Sequence, residues 1–208
     1  MITKRTQNAA SIRHKIVDYV IKSCKTKSFT SIHVTDICEA SGISKVTFFK
    51  YFDKKEDVLL LYKTILNYEI CIKTNKQDIH SIQGLNLIID RFVQMVRETP
   101  SIAEGLVSTL LHSKPPILPV ILTEADKHAF FPETANDKIS ILPFWDLIEG
   151  FMLEAILDKQ ASGHANASDL TSLFISTLYG AIVTSHIKNP QQQAIYFNNV
   201  MKSWLRCL

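Results

Sequence analysis

The chain has 208 residues, 46% of them hydrophobic, with 6 glycines, 7 prolines and a formal net charge of +3. That composition is too apolar for a disordered segment, and the length allows one small unit and one larger core, with sparse Gly and Pro favouring helices. Charge is uneven: residues 1–60 carry 11 Lys/Arg against 6 Asp/Glu, and residues 61–208 carry 12 against 14. A basic end on a nearly neutral body points to one polyanion-binding module.

Several classes are disfavoured at once. Residues 1–10 lack the apolar segment and cleavage pattern of a secretory signal, and no uninterrupted apolar run approaches the roughly 18 residues of a membrane span. A cytoplasmic chain with no membrane partner is expected. Cys24, Cys38, Cys71 and Cys207 fall at no metal-ligand spacing, and a reducing compartment argues against disulfides. There is no Gly-rich phosphate loop, HExxH, paired CxxC or GxSxG. His80, His112, His128, His164 and His186 have no histidine partner at helical spacing. The expectation is therefore no enzyme, no catalytic residues, no metal and no cofactor.

Residues 1–10, with Lys4 and Arg5, read as a mobile arm. Ile12, Ile16, Val20 and Cys24 form an i, i+4 stripe, which predicts a helix over 9–24. Val34, Ile37 and Cys38 predict a short helix ending near Ser41, and Gly42 supplies a position tolerant of positive φ for a sharp turn. Ser44 is a good N-cap for a second short helix. In it, Phe48 and Phe52 share the face of Ile43, so Lys45, Val46, Phe49 and Lys50 face away from the core. Two helices joined by a tight turn, with lysines, hydroxyls and a bare aromatic outward, suit a helix placed in the major groove of DNA. On that surface Phe49, lacking a hydroxyl, is expected to make apolar contact, for instance with a thymine methyl. Asp53 and Glu56 read as N-cap and N3 of a further helix running from Lys54 to about Lys73. Lys54 and Lys55 in its first turn oppose the helix dipole, which suits a nearby phosphate.

Residues 74–81 read as a loop. Leu85, Ile88, Ile89, Phe92, Val93 and Val96 predict a helix ending before Pro100, and residues 101–112 another. Pro115, Pro116 and Pro119 break the pattern, leaving the stretch to Pro143 irregular. Three more helices are predicted over 144–159, 170–187 and 191–208. The penultimate one is apolar almost all round and must be covered on more than one side.

The stretch from His33 to Ser44, continued through Thr47, Phe48, Phe49, Lys50, Tyr51, Phe52, Lys55 and Val58, resembles the N-terminal domain of the tetracycline-repressor (TetR) family of bacterial transcriptional regulators. His33 stands where that family usually has threonine, Phe49 where it has tyrosine, and Val46 where a small residue is frequent. The resemblance implies an all-α chain, with a three-helix helix-turn-helix DNA-binding domain over 1–53 and a helical ligand-binding and dimerisation domain over 54–208. It implies DNA contact by His33, Thr35, Ser44, Lys45, Val46, Thr47, Phe49, Lys50, Tyr51 and Lys55, with Thr47, Tyr51 and Lys55 on phosphates. It further implies a homodimer through the last two helices, for which Leu170, Phe174, Leu178, Ala181, Phe197, Met201 and Trp204 are the interface candidates.

The expected function is a ligand-responsive regulator, a repressor that binds a palindromic double-stranded operator as a homodimer. A small apolar effector would release it, lined by Phe92, Met95, Trp145, Phe151 and Met152, with residues 115–119 as the access route. The alternative is a helical protein-interaction module whose DNA-binding domain no longer reads a site.

Overall fold

A computed structural model describes residues 2–114, 120–161 and 166–208. Among the described residues the structure is all-α, with ten α-helices, two short 3-10 turns and no strand. The contacts divide the chain into two compact units. One comprises Met1–Leu66 with Ser101–Lys138, the other Asn67–Pro100 with Ile139–Leu208. This grouping differs from a single cut at residue 53, because residues 101–138 return to the N-terminal unit.

In the first unit, α1 spans Lys4–Ser23. It begins well before residue 9, so the expected mobile arm is mostly helix. The cause is local: the Thr3 N–H donates to Thr6 Oγ1 (2.9 Å) and the Thr6 N–H to Thr3 Oγ1 (3.2 Å), a reciprocal cap that satisfies two donors. Ile16, Val17 and Val20 supply its buried stripe. A 3-10 turn at Phe29–Ser31 leads to α2 (Val34–Ser41) and α3 (Lys45–Phe49), and α1 packs on α2. Helix α4 (Asp57–Gln77) starts three residues later than expected and runs further, through part of the predicted loop, continuing from the first unit into the second. In the turn before it the Lys54 N–H donates to Asp57 Oδ2 at 3.0 Å. Helix α6 (Pro100–His112) starts on a proline, which fits a first turn because no intrahelical donor is needed there. Helix α7 (Glu124–Phe130) lies where irregular chain was expected and packs on α1. The Thr123–Asp126 capping box explains it, the Thr123 N–H donating to Asp126 Oδ2 at 2.9 Å.

In the second unit, α5 (Ser81–Glu98), α8 (Phe144–Leu157), α9 (Ala167–Lys188) and α10 (Gln193–Leu205) form a closed ring of neighbours. Helix α5 packs on α8, α8 on α9, α9 on α10, and α10 back on α5. Ile88, Ile89, Ile148, Met152, Phe174, Leu178, Phe197 and Met201 are all buried in this unit. By length and composition α9 is apolar enough to cross a membrane, yet it also carries one fully packed side in this ring.

Candidate nucleic-acid interface

The α2–α3 corner is built by local chemistry. His33 precedes α2, and its N–H donates to Asp36 Oδ2 at 3.0 Å. The helix stops at Gly42, which has φ +67 and ψ 37 in the left-handed region. The Ile43 N–H returns to the Cys38 carbonyl at 2.9 Å, closing the helix end. Ser44 then caps α3, its Oγ accepting from the Thr47 N–H at 3.2 Å.

Phe48 on α3 and Phe52, three residues past its end, anchor this segment on the core. Phe48 is 0% and Phe52 5% exposed, with ring centroids 5.4 Å apart. With that face spent, Val46 is 82% and Phe49 50% exposed, and Lys45 and Lys50 are exposed beside them. The rings of Phe49 and Phe48 are perpendicular, with centroids 5.4 Å apart, so the exposed ring is braced by the buried one. His33, Thr35 and Ser44 are exposed as well, while Thr47 and Tyr51 are half-buried.

Lys55 is placed differently from the other candidates. Its ammonium donates to the carbonyls of Phe29 (2.9 Å), Thr30 (3.3 Å) and Ile32 (2.8 Å). An ammonium has three protons, so three carbonyl acceptors leave it no donor for a phosphate.

The five effector candidates do not act alike. Phe92, Met95, Phe151 and Met152 are buried in the second unit, whereas Trp145 is 41% exposed. The register of α8 explains this: Phe144 takes the place beside Phe92, with centroids 6.0 Å apart, and Trp145 falls off the buried stripe. A Cβ on Gly84 would stand 2.5 Å from the Phe151 ring, so that ring packs directly on α5 backbone. Residues 115–119 and His164 lie outside the described residues.

The interface candidates are also mostly interior. Phe174, Leu178, Ala181, Phe197 and Met201 are buried within the second unit, and Trp204 meets Phe174 edge-on at 5.4 Å. Side chains already covered have no area to lose on association. The outward side of α9 carries a different set: Leu173 (55% exposed), Ser176, Gly180, Val183 and Ile187. Their 3-4-3-4 spacing is that of a coiled-coil seam, and a side chain on Gly180 would meet nothing. On the same helix burial pushes the Tyr179 hydroxyl up to about 12.

Burial also raises the thiols of Cys24 and Cys71 above their ordinary value, which makes them poor nucleophiles. Two residues absent from the sequence reading, Arg13 and Asp126, form a partly buried ion pair across 113 positions. The Thr123-x-x-Asp126 signature was visible in the sequence, but nothing local pairs it with Arg13.

Taken together these features define an all-α chain with a helix-turn-helix unit and a separate helical ring. The sequence matches no protein-family profile and no curated protein. Solved structures do match. The chain is similar to Thermus thermophilus FadR, a TetR-family transcriptional repressor in complex with lauroyl-CoA, at TM-score 0.61 and 17% identity over 94% of each chain. It is similar to the fatty acid degradation regulator FadR of Bacillus halodurans at TM-score 0.59 and 15% identity, covering 93% of this chain and 98% of that one. A TetR-family regulator of Agrobacterium tumefaciens gives TM-score 0.58 and 14% identity, covering 96% and 97%. The chain has the fold of TetR-family transcriptional regulators.

Proposed function

We propose that this chain is a DNA-binding transcriptional regulator, a repressor that binds a palindromic operator as a cytoplasmic homodimer. The observation that carries this reading is the outward face of α3, where Lys45, Val46, Phe49 and Lys50 stand exposed because Phe48 and Phe52 are buried. Lysines serve the phosphates, and the apolar pair serves base edges in the major groove. Dimerisation is supported by the exposed seam on α9, which a second copy would cover by two-fold symmetry. Two recognition helices would then address half-sites about one helical turn (~34 Å) apart.

The effector reading is that a small molecule with an apolar part binds among the helices of the second unit and lowers operator affinity. The buried side chains of Phe92, Met95, Phe151 and Met152 suit such a molecule, and the lauroyl-CoA held by the Thermus protein makes acyl-CoA the first probe. Helix α4 belongs to both units and is one covalent path for coupling, for which ~1–3 kcal/mol is typical.

The test is selection from a random duplex library, followed by titration of the selected duplex at several salt concentrations with and without lauroyl-CoA. Enrichment of an inverted repeat with a steep salt slope is expected. Failure to enrich any sequence sinks the reading. The second reading, a helical interaction module, draws on the exposed Val46 and Phe49, and predicts weak binding with no sequence preference.

A further inference from the structure

The Arg13 guanidinium on α1 donates from Nε (2.9 Å) and Nη2 (2.5 Å) to one oxygen of Asp126, Oδ1. The other oxygen, Oδ2, accepts from the Thr123 N–H (2.9 Å) and the Thr123 hydroxyl (2.7 Å). Four charge-assisted bonds therefore fix a carboxylate that is only 2% exposed. The same guanidinium lies over the Tyr51 ring, 5.8 Å from its centroid. Tyr51 is the second residue after α3, so Arg13 joins the carboxylate of α7 to the end of that helix. His14 and Phe130, with rings 5.1 Å apart, give α1 and α7 a second contact one residue along. A cleft of about 370 Å³ borders the arrangement, lined in part by Arg13, Lys50, Tyr51, Asp53, Thr123 and Asp126. The end of α3 thus faces open volume on this side, and Arg13 reaches across it.

We propose that Asp126 and Arg13 are positioning residues for DNA recognition. Helix α7, 113 positions along the chain from its ion-pair partner, is part of the DNA-reading unit. Its carboxylate sets the pose of α3 through Arg13 and Tyr51 without touching DNA. The inference rests on the reading of α3 as the recognition helix. Its physical basis is that both ends of the relay are constrained: the capping box orients Asp126, and the guanidinium bonds the carboxylate through two nitrogens while lying over the ring.

The experiment uses the full chain, with a duplex selected by the wild-type protein and an unselected library duplex of equal length. Asp126→Asn removes the charge at constant shape. The pair Arg13→Met with Asp126→Asn removes both charges while keeping a side-chain oxygen for the Thr123 cap, so no buried charge is orphaned if the single variant unfolds. A globally loosened chain loses affinity for both duplexes by the same factor, whereas a displaced reading helix loses the ratio between them. The expected result is a fall in that ratio of roughly tenfold, the size of one good base contact. The salt slope on the unselected duplex stays unchanged, and amides of residues 48–52 exchange faster in the DNA-free variants. An unchanged ratio in both variants, or equal losses on both duplexes, overturns the proposal. A wild-type chain that enriches no duplex overturns the DNA-binding reading itself, and does so before any variant is made.

Discussion

Lys55 Nζ lies 2.8 Å from the carbonyl oxygen of Ile32, the residue that leads into the α2 cap. The Phe29 carbonyl stands 2.9 Å away, and the ammonium sits 4.6 Å from the centroid of the Phe29 ring. This lysine ties the residues before α4 to the turn that feeds α2, and so holds together the frame on which α3 is mounted.

Lys55→Ala is accordingly expected to act on stability. Loss of a half-buried ammonium that satisfies several carbonyls costs about 1.5–3 kcal/mol, in the range for hydrogen bonds to charged groups. Urea unfolding measures this, and the salt slope of DNA binding should not change. A variant of unchanged stability whose slope falls by about one would return Lys55 to the phosphates.

The exposed apolar pair on α3 makes a prediction about the DNA. Val46 and Phe49 can recognise a C5-methyl group but cannot distinguish donors from acceptors. Replacing thymine by uracil at a contacted position removes one methyl and nothing else. Each replacement should lower affinity by about fourfold, from ~0.8 kcal/mol per buried carbon. In Val46→Ala or Phe49→Ala the corresponding uracil penalty should vanish. Uracil duplexes bound as tightly as thymine duplexes would show that these side chains do not read base edges.

The α9 seam predicts the assembly. Val183→Asp places a charge at an exposed position, so the ring of α5, α8, α9 and α10 should fold as before. In a dimer the same charge would be buried against its symmetry mate, a destabilising arrangement. Sedimentation at micromolar concentration should therefore show a wild-type dimer and a Val183→Asp monomer of equal helix content. A variant that remains dimeric places the interface elsewhere.

His80 gives the second unit a pH dependence. Its Nε2 is 2.9 Å from Asp78 Oδ1 and its Nδ1 3.3 Å from Glu154 Oε1. The bond to Asp78, then that to Glu154, raises the imidazole above its ordinary 6.5. A raised folded value means the stabilisation is complete below 6.5 and is lost as pH climbs through the raised value. Melting temperatures of the wild type and His80→Gln should therefore differ near pH ~5 and converge by about pH 9. A constant difference across that range would assign the effect to packing.

The helix-turn-helix was legible in the sequence because every determinant is local. Gly42 ends one helix, Ser44 caps the next, and the buried Phe48, with Phe52 just past the helix, fixes which side of α3 faces out. The same logic located most of the helices, and it missed the start of α1 and all of α7, where Thr3 and Thr123 are the caps that were overlooked.

Other features depended on the tertiary structure. Periodicity shows that α9 has two apolar stripes, one through Phe174, Leu178 and Ala181, the other through Leu173, Val183 and Ile187. Both carry large apolar side chains, so the pattern alone does not say which one the protomer covers; packing with α8 and α10 decides it. Lys55 likewise reads as a free cation, and only the fold brings three carbonyls to it. Arg13 and Asp126 meet across 113 positions, a distance over which helical periodicity carries no information, because the pairing is set by the packing of α7 on α1.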